Sequence, residues 1–276
     1  MSSTRRKTSS ARWLSFPACL LSLLVSPAPA AETVGTRAER TVAAIAAFGP
    51  RAAGTPAEQR VAELVAARLH ELGYEVEIQP VVLPRGGSSR NIVARTPGPA
   101  RVVVVAHLDG VRAGPAANDN GSGVAVLLEL ARALRGQGGL LLAAVGAEER
   151  AETQSRLHLG SARLVESLSS ADRKAIRLAL ALDMVGYGGT LNVRGLESAP
   201  NRSARLVLEH GGLYLQDRGE SDHAELTRAG IPAAWIEWRE DPCWHAACDT
   251  ADRVKPWKLG AAARLALAAI RDALGP

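Results

Sequence analysis

Aromatic side chains are scarce: five Trp, three Tyr and two Phe in 276 residues. A core must instead be built largely from Ala, Leu and Val, in which the chain is rich. No His-Glu-x-x-His sequence occurs, which excludes a zinc protease site carried on one helix. The stretches "GGSS" and "GSG" lack the lysine of a phosphate-binding loop. Neither Ser122 nor Ser221 sits in a Gly-x-Ser-x-Gly turn, so serine-nucleophile chemistry has no anchor. There is no internal repeat, no low-complexity tract and no sign of a second folded domain.

The chain opens with the basic stretch MSSTRRKTSSAR, then Trp13, the apolar LSFPACLLSLLV and the small residues SPAPA. That order predicts a signal peptide over residues 1–30, cleaved near Ala30, and hence a secreted or periplasmic protein. The apolar run falls short of the ~20 residues of a membrane span, so no stable membrane insertion is expected. Arg5 and Arg6 raise twin-arginine export, but the residues after them fit that signal poorly. Cys19 is a weak lipid attachment site, because Phe16-Pro17-Ala18 leads into it.

Removing the leader changes the charge. The whole chain carries 33 Lys and Arg against 28 Asp and Glu, a formal +5. Arg5, Arg6, Lys7 and Arg12 leave with the leader and no acid does, so 29 remain against 28. A nearly neutral mature chain has no electrostatic footprint for nucleic acid. Residues 31–276 have the length of one soluble domain with a sizeable core. Of the three cysteines only Cys243 and Cys248 stay, in "CWHAAC", and an oxidising compartment favours a disulfide between them.

The segment "TPAEQRVAELVAARLHELGY" carries Thr55, Pro56 and Glu58 ahead of apolar Val61, Leu64, Val65, Leu69 and Leu72. This predicts a capped amphipathic helix. "EVEIQPVVL" and "RNIVARTP" are strand-like, with a turn between them. "RVVVVAHLD" and "GLLLAAVGAEE" are buried strands, and "AIRLALALDMVG", "TLNVRG" and "IPAAWIEW" carry three more. Helical patterns in "NGSGVAVLLELARAL", "SARLVLEH", "SDHAELTRAG" and "LGAAARLALAAIRDAL" lie between and after them. Alternating strands and helices predict a three-layer α/β/α domain with a mostly parallel central sheet.

Such sheets carry their functional residues just beyond the carboxyl ends of the strands. There "RVVVVA" ends in His107-Leu108-Asp109, "LLLAAVGA" in Glu148-Glu149 and "LALAL" in Asp183. Asp119 lies in the loop "GPAANDNGSG", and Asp241 and His245 follow "IPAAWIEW". Each residue alone is unremarkable; together, two His with three acids suit zinc. Two ions about 3.5–4 Å apart need a shared carboxylate, and Asp119 on its glycine-flanked loop is the natural bridge. Strand alternation puts His107 and Asp109 on one face, so Asp109 can accept the other ring N–H of His107. Trp235 and Trp238 belong either to a pocket or to the core. His158 and His210 read as ordinary residues.

The segments "VVVVAHLDG", "AANDNGSGVAVLLELARAL", "VGAEE", "LALDMVG", "SDHAELTRAGIPA" and "WHAACDTAD", in this order, resemble the M28 zinc aminopeptidases from about residue 55 to the C-terminus. The resemblance implies two Zn2+ ions: His107 and Asp183 on one, Glu149 and His245 on the other, and Asp119 bridging. Asp109 would orient His107, and Glu148 would be the general base taking a proton from the attacking water. It also places a cis peptide at Asp119–Asn120. The substrates implied are peptides with a free N-terminus, cleaved after the first residue. In "ESDHAEL", Asp222 and His223 would flank the substrate pocket.

The chain departs from the family pattern in two places. Trp244 stands where many members have Tyr before the last histidine, so an indole N–H replaces a hydroxyl or simply walls the pocket. Trp there is similar to related glutaminyl cyclases, which use one zinc, and cyclisation of N-terminal glutamine is the alternative activity. Arg150 follows Glu149 where many members have an acidic or small residue. A silent binding module on the same fold would have lost ligands, and all five are present. An exopeptidase with C-terminal or acylated-amino-acid specificity often carries an inserted domain, for which the chain between Asp119 and Asp183 leaves no room. That insert-free chain points to a monomer.

Overall fold

The computed structural model describes residues 32–149 and 158–275. The expected leader and Arg150 lie outside the described residues. The strands are β1 (Glu75–Val82), β2 (Ser88–Arg95), β3 (Val102–His107), β4 (Leu140–Val145), β5 (Leu178–Leu182), β6 (Thr190–Gly195), β7 (Leu213–Gln216) and β8 (Ala233–Arg239). The described helices are α1 (Val34–Ala46), α2 (Pro56–Glu71), α3 (Gly123–Ala133), α4 (Leu159–Ser167), α5 (Ser170–Ala175), α6 (Arg202–Leu208), α7 (His223–Arg228) and α8 (Pro256–Leu274).

The strands form one sheet in the order β1-β2-β4-β3-β5-β8-β6-β7. Its centre, β4-β3-β5-β8, is wholly parallel, and β6 pairs with β7 in parallel as well. Antiparallel pairing is confined to β1–β2, β2–β4 and β6–β8. The expected α/β architecture is therefore present.

The alternation of side chains along each strand divides the apolar runs between two cores. Val102, Val104, Leu140, Leu142, Leu178 and Leu180 pack on one face with α1, α2, α3 and α8. Val103, Val105, Leu141, Ala143, Ala179 and Ala181 pack on the other with α4 and α7. Each fully buried Val or Leu contributes about 1.5–3 kcal/mol. With both faces covered, slipping any central strand by one residue would exchange the two sets, so the ends of these strands are firmly placed. Helices α1, α4 and α5 and strand β7 go beyond the elements expected from the sequence.

Candidate active site

The four parallel central strands end on one edge of the sheet, and the expected site residues stand there. His107 closes β3, Glu148 and Glu149 follow β4, Asp183 follows β5, and β8 leads into the loop of His245. His107 Nε2 lies 3.2 Å from Asp119 Oδ1 and 3.3 Å from Asp183 Oδ1. His245 Nε2 lies 3.3 Å from Asp119 Oδ2 and 3.0 Å from Glu149 Oε2. The two oxygens of Asp119 thus face different histidines. Two sets of ligand atoms, His107–Asp119–Asp183 and Asp119–Glu149–His245, each lie within 4.8 Å and share Asp119. His107 with Glu148 and Glu149 meets the same limit. Glu149 Oε1 is buried without a hydrogen-bond partner among the described residues. Imidazole nitrogens, clustered carboxylates and an orphaned oxygen make a donor set that fits a pair of divalent cations such as zinc.

Asp119 is carried on a single wide turn, Ala117–Ser122, in which the Asp119–Asn120 peptide is cis, as expected. Asp249 accepts the backbone N–H groups of Asn118 at 2.7 Å and Asp119 at 3.0 Å. The Asn120 amide donates to the Leu182 carbonyl at 2.8 Å, and its oxygen accepts from Gly123 N–H at 2.8 Å. A Cβ on Gly123 would lie 2.1 Å from the Leu182 oxygen. Glycine at this helix start is what lets the turn close onto β5. Ser221 Oγ donates to Asp183 Oδ2 at 2.8 Å, and Trp235 Nε1 donates to the Asp183 carbonyl at 3.1 Å.

The expected role of Asp109 needs correction. His107 Nδ1 faces the backbone carbonyl of Asp109 at 3.2 Å, while the Asp109 carboxylate stands 3.8 Å away, beyond a hydrogen bond. That carboxylate instead accepts the N–H groups of Glu148 at 3.0 Å and Glu149 at 3.1 Å. The main chain of Asp109 therefore orients His107, and its side chain fixes the adjacent glutamates.

Asp222 and His223 are also placed differently. Both are buried and neither lines the cavity over the cluster. His223 Nε2 is 2.8 Å from Asp217 Oδ2, and its ring packs 5.8 Å from that of Trp235. Asp222 acts from behind, its charge adding to those of Glu149 and Asp183 around Glu148. Burial is the main cause that raises Glu148 well above the usual carboxylate range; the charge of His107 opposes it, and those three acids reinforce it.

His158, read as ordinary, is fully buried, with Nε2 3.4 Å from Glu148 Oε1 and Nδ1 3.5 Å from Glu225 Oε1. His210 is a surface residue paired with Asp272. Arg51 also escaped the sequence reading. It is fully buried and donates to the carbonyls of Leu108 at 2.7 Å, Ala116 at 2.8 Å and Pro115.

Behind Asp109 stands Glu58, which accepts from Gly54 N–H and the Ser89 hydroxyl. Burial, followed by the charge of Asp109, pushes its carboxyl up to about 8. The unfolded chain releases this proton near pH 4.5 while the folded chain keeps it. Stability therefore falls as pH rises from about 4.5 to 8, at up to ~1.4 kcal/mol per pH unit, and levels off above. Denaturant titrations at pH 5 and pH 8 should show the parent losing more stability across this interval than Glu58→Gln. Equal losses would assign the slope to other groups.

A cavity of about 460 Å³ opens over the cluster, lined by Asp119, Glu148, Glu149, Asp183 and His245 on one side. Trp235 and Trp244 line it too, whereas Trp238 packs edge-on against Trp257 away from it. Trp244 is 58% exposed and stacks on His245 with ring centroids 4.2 Å apart. Cys243 and Cys248 form the expected disulfide and so close the loop that carries both residues. Among the described residues no helix is long and apolar enough to cross a membrane.

The chain is similar to known proteins in sequence and in fold. Aminopeptidase YwaD of Bacillus subtilis is 34% identical over 195 residues, covering 64% of this chain. The chain spans about half the length of the curated relatives it matches, 42% in this case. In structure it is similar to a zinc aminopeptidase from Bacillus subtilis, with a TM-score of 0.77 at 22% identity, covering 87% of this chain and 94% of that one. It is also similar to a glutaminyl cyclase from Bacteroides thetaiotaomicron, with a TM-score of 0.73 at 22% identity, covering 86% and 97%. The model of peptidase family M28 matches residues 91–270, a stretch that contains each of the five candidate ligands, and the chain belongs to that family.

Proposed function

We propose that the chain is an exported metallo-aminopeptidase that hydrolyses the N-terminal peptide bond of peptides bearing a free α-amine. The observation that carries this reading is Asp119, whose two oxygens each face a histidine that has an acid of its own. His107, Asp119 and Asp183 would hold one zinc ion; Asp119, Glu149 and His245 would hold the other. Bound zinc supplies Lewis acidity toward water and the scissile carbonyl.

The chain's own groups do the rest. Glu148, at the cavity floor, takes the proton of the attacking water and returns it to the leaving amine, a task suited to a carboxyl whose pKa is raised. Asp109 keeps Glu148 and Glu149 apart in role by holding both of their backbone N–H groups. The indole N–H of Trp244, at the rim beside His245, offers a donor to the carbonyl oxygen of the substrate. Carboxylates along the cavity floor favour a substrate that arrives with an ammonium group. The disulfide supports an oxidising, extracytoplasmic setting.

Cyclisation of N-terminal glutamine is the second reading, favoured by Trp244 against the last histidine. The intact His107–Asp183 half of the site argues for hydrolysis instead. Metal analysis combined with turnover of aminoacyl amides, N-acetylated controls and glutaminyl peptides separates them. The expected result is two zinc ions per chain, cleavage of unblocked amides only, and loss of activity with a chelator. A protein that binds no metal, or binds it and cleaves no unblocked substrate, sinks the proposal. Rapid pyroglutamyl formation would establish the cyclase.

A further inference from the structure

We propose that the β6–β8 wall of the cavity selects peptides whose first residue is basic, Lys or Arg. The inference rests on the aminopeptidase reading and names the substrate class of the same site. In the antiparallel β6–β8 register Arg194 lies opposite Trp235, and Glu237 follows two residues on, so all three share one face of the sheet. All three line the cavity, together with Glu220.

The wall holds one guanidinium between two carboxylates, Glu237 and Glu220, with Asp217 behind it and already beside His223. Arg194 donates to Glu237 Oε1 at 3.2 Å and to Glu220 Oε2 at 2.5 Å, and its Nε lies 3.8 Å from Asp217 Oδ2. Its Cζ also lies over the Trp235 ring, 4.2 Å from the centroid. Its charge is therefore more than balanced, and it cannot turn to an acidic substrate side chain without abandoning a carboxylate. Rim residues Arg239 and Glu240 are both exposed, and the charge of Arg239 also acts on Glu237. Asp241 is already met by Arg253 and Asn118. Glu237 and Glu220 thus share the single guanidinium of Arg194.

Glu237 makes that sharing matter. It is 2% exposed, and among the described residues its carboxylate accepts one hydrogen bond, from Arg194 on Oε1. Burial raises it to about 7, against the pull of Arg194. A leucine side chain seated here would cover a half-satisfied carboxylate and dehydrate it further, which is costly. A lysine or arginine side chain lays its methylene stem on Met184 and Trp244 and brings its charged end to Glu237 and Glu220. The wall thus matches an apolar stem with a cationic tip.

The test is kcat/KM of the zinc-loaded full chain on Lys-, Arg-, Leu- and Glu-anilides. The parent should prefer Lys and Arg over Leu by about tenfold or more, with Glu poorest. Glu237→Gln should shrink the Lys-to-Leu ratio about tenfold, chiefly through KM for Lys. Glu220→Gln, whose side chain is 57% exposed and tolerant of change, should shift the ratio the same way if Glu237→Gln does not fold. A parent that prefers Leu or Glu, or variants that leave the ratio unmoved, overturns the inference while the aminopeptidase reading stands. Hydrolysis of none of the four overturns that reading and the inference with it.

Discussion

Glu148→Gln should keep its full metal content and lose turnover by about 10²–10⁴-fold, with KM little changed. Glutamine fills the same space and can still hydrogen-bond, but it cannot take up a proton. Glu148 is buried and lines the cavity, and among the described residues the nearest cationic partner of its carboxylate is His158, 3.4 Å away. The contrast lies one residue on. Glu149 Oε2 is 3.0 Å from His245 Nε2, and among the described residues Oε1 is buried without a partner, as expected of a ligand. Glu149→Gln should therefore release metal, measured as a lower zinc content after dialysis, and recover turnover when zinc is raised. Both variants have the same volume and sit on the same stretch of main chain, so the comparison separates proton transfer from metal binding. If both lost metal equally, or both kept it, the division of labour between the two glutamates would be wrong.

Those glutamates also mark what local pattern reveals. Buried runs such as "VVVVA" and "LALAL" declare strands, strand ends of a parallel sheet gather on one edge, and each of the five ligand candidates follows a strand end or its loop. Side-chain alternation set His107 and Asp109 on one face, but β3 ends at His107 and the carbonyl of Asp109, rather than its carboxylate, meets the ring. Alternation carried no information on where β4 would end, so the capture of two backbone N–H groups by the Asp109 carboxylate stayed hidden. His158 looked unremarkable because its partners, Glu148 and Glu225, lie in two other segments. Asp222 and His223 were seen as a motif, but whether a side chain faces a cavity or the core behind it depends on how α7 docks. Helix α1 buries Ala38, Val42 and Ile45, too small a stripe to stand out in an alanine-rich stretch. Strand β7 has four residues and a half-exposed edge position, too short for a period to show.

Arg51 is the largest omission, a lone basic residue in "GPRAAG". Arg51→Met should destabilise the metal-free protein by about 3–5 kcal/mol, the usual cost of breaking a buried charge network from one side. Three loop carbonyls, on Leu108, Pro115 and Ala116, lose their donor together. Burial lowers the pKa of the guanidinium, but the charges of Asp109, Asp119, Asp249 and Glu149 oppose that shift, so those acids lose a cation in turn. Arg51→Lys should recover only part of the loss, since an ammonium cannot span three carbonyls as the planar fork does. Zinc binds the folded chain and returns positive charge to the same acids, so saturating zinc should narrow the gap between parent and Arg51→Met. Urea titrations with and without zinc measure both differences. A gap that zinc leaves unchanged would mean that Arg51 serves only to tie the Asp119 loop in place; a gap that zinc narrows would show that it also stands in for the metal's charge while the carboxylate cluster forms.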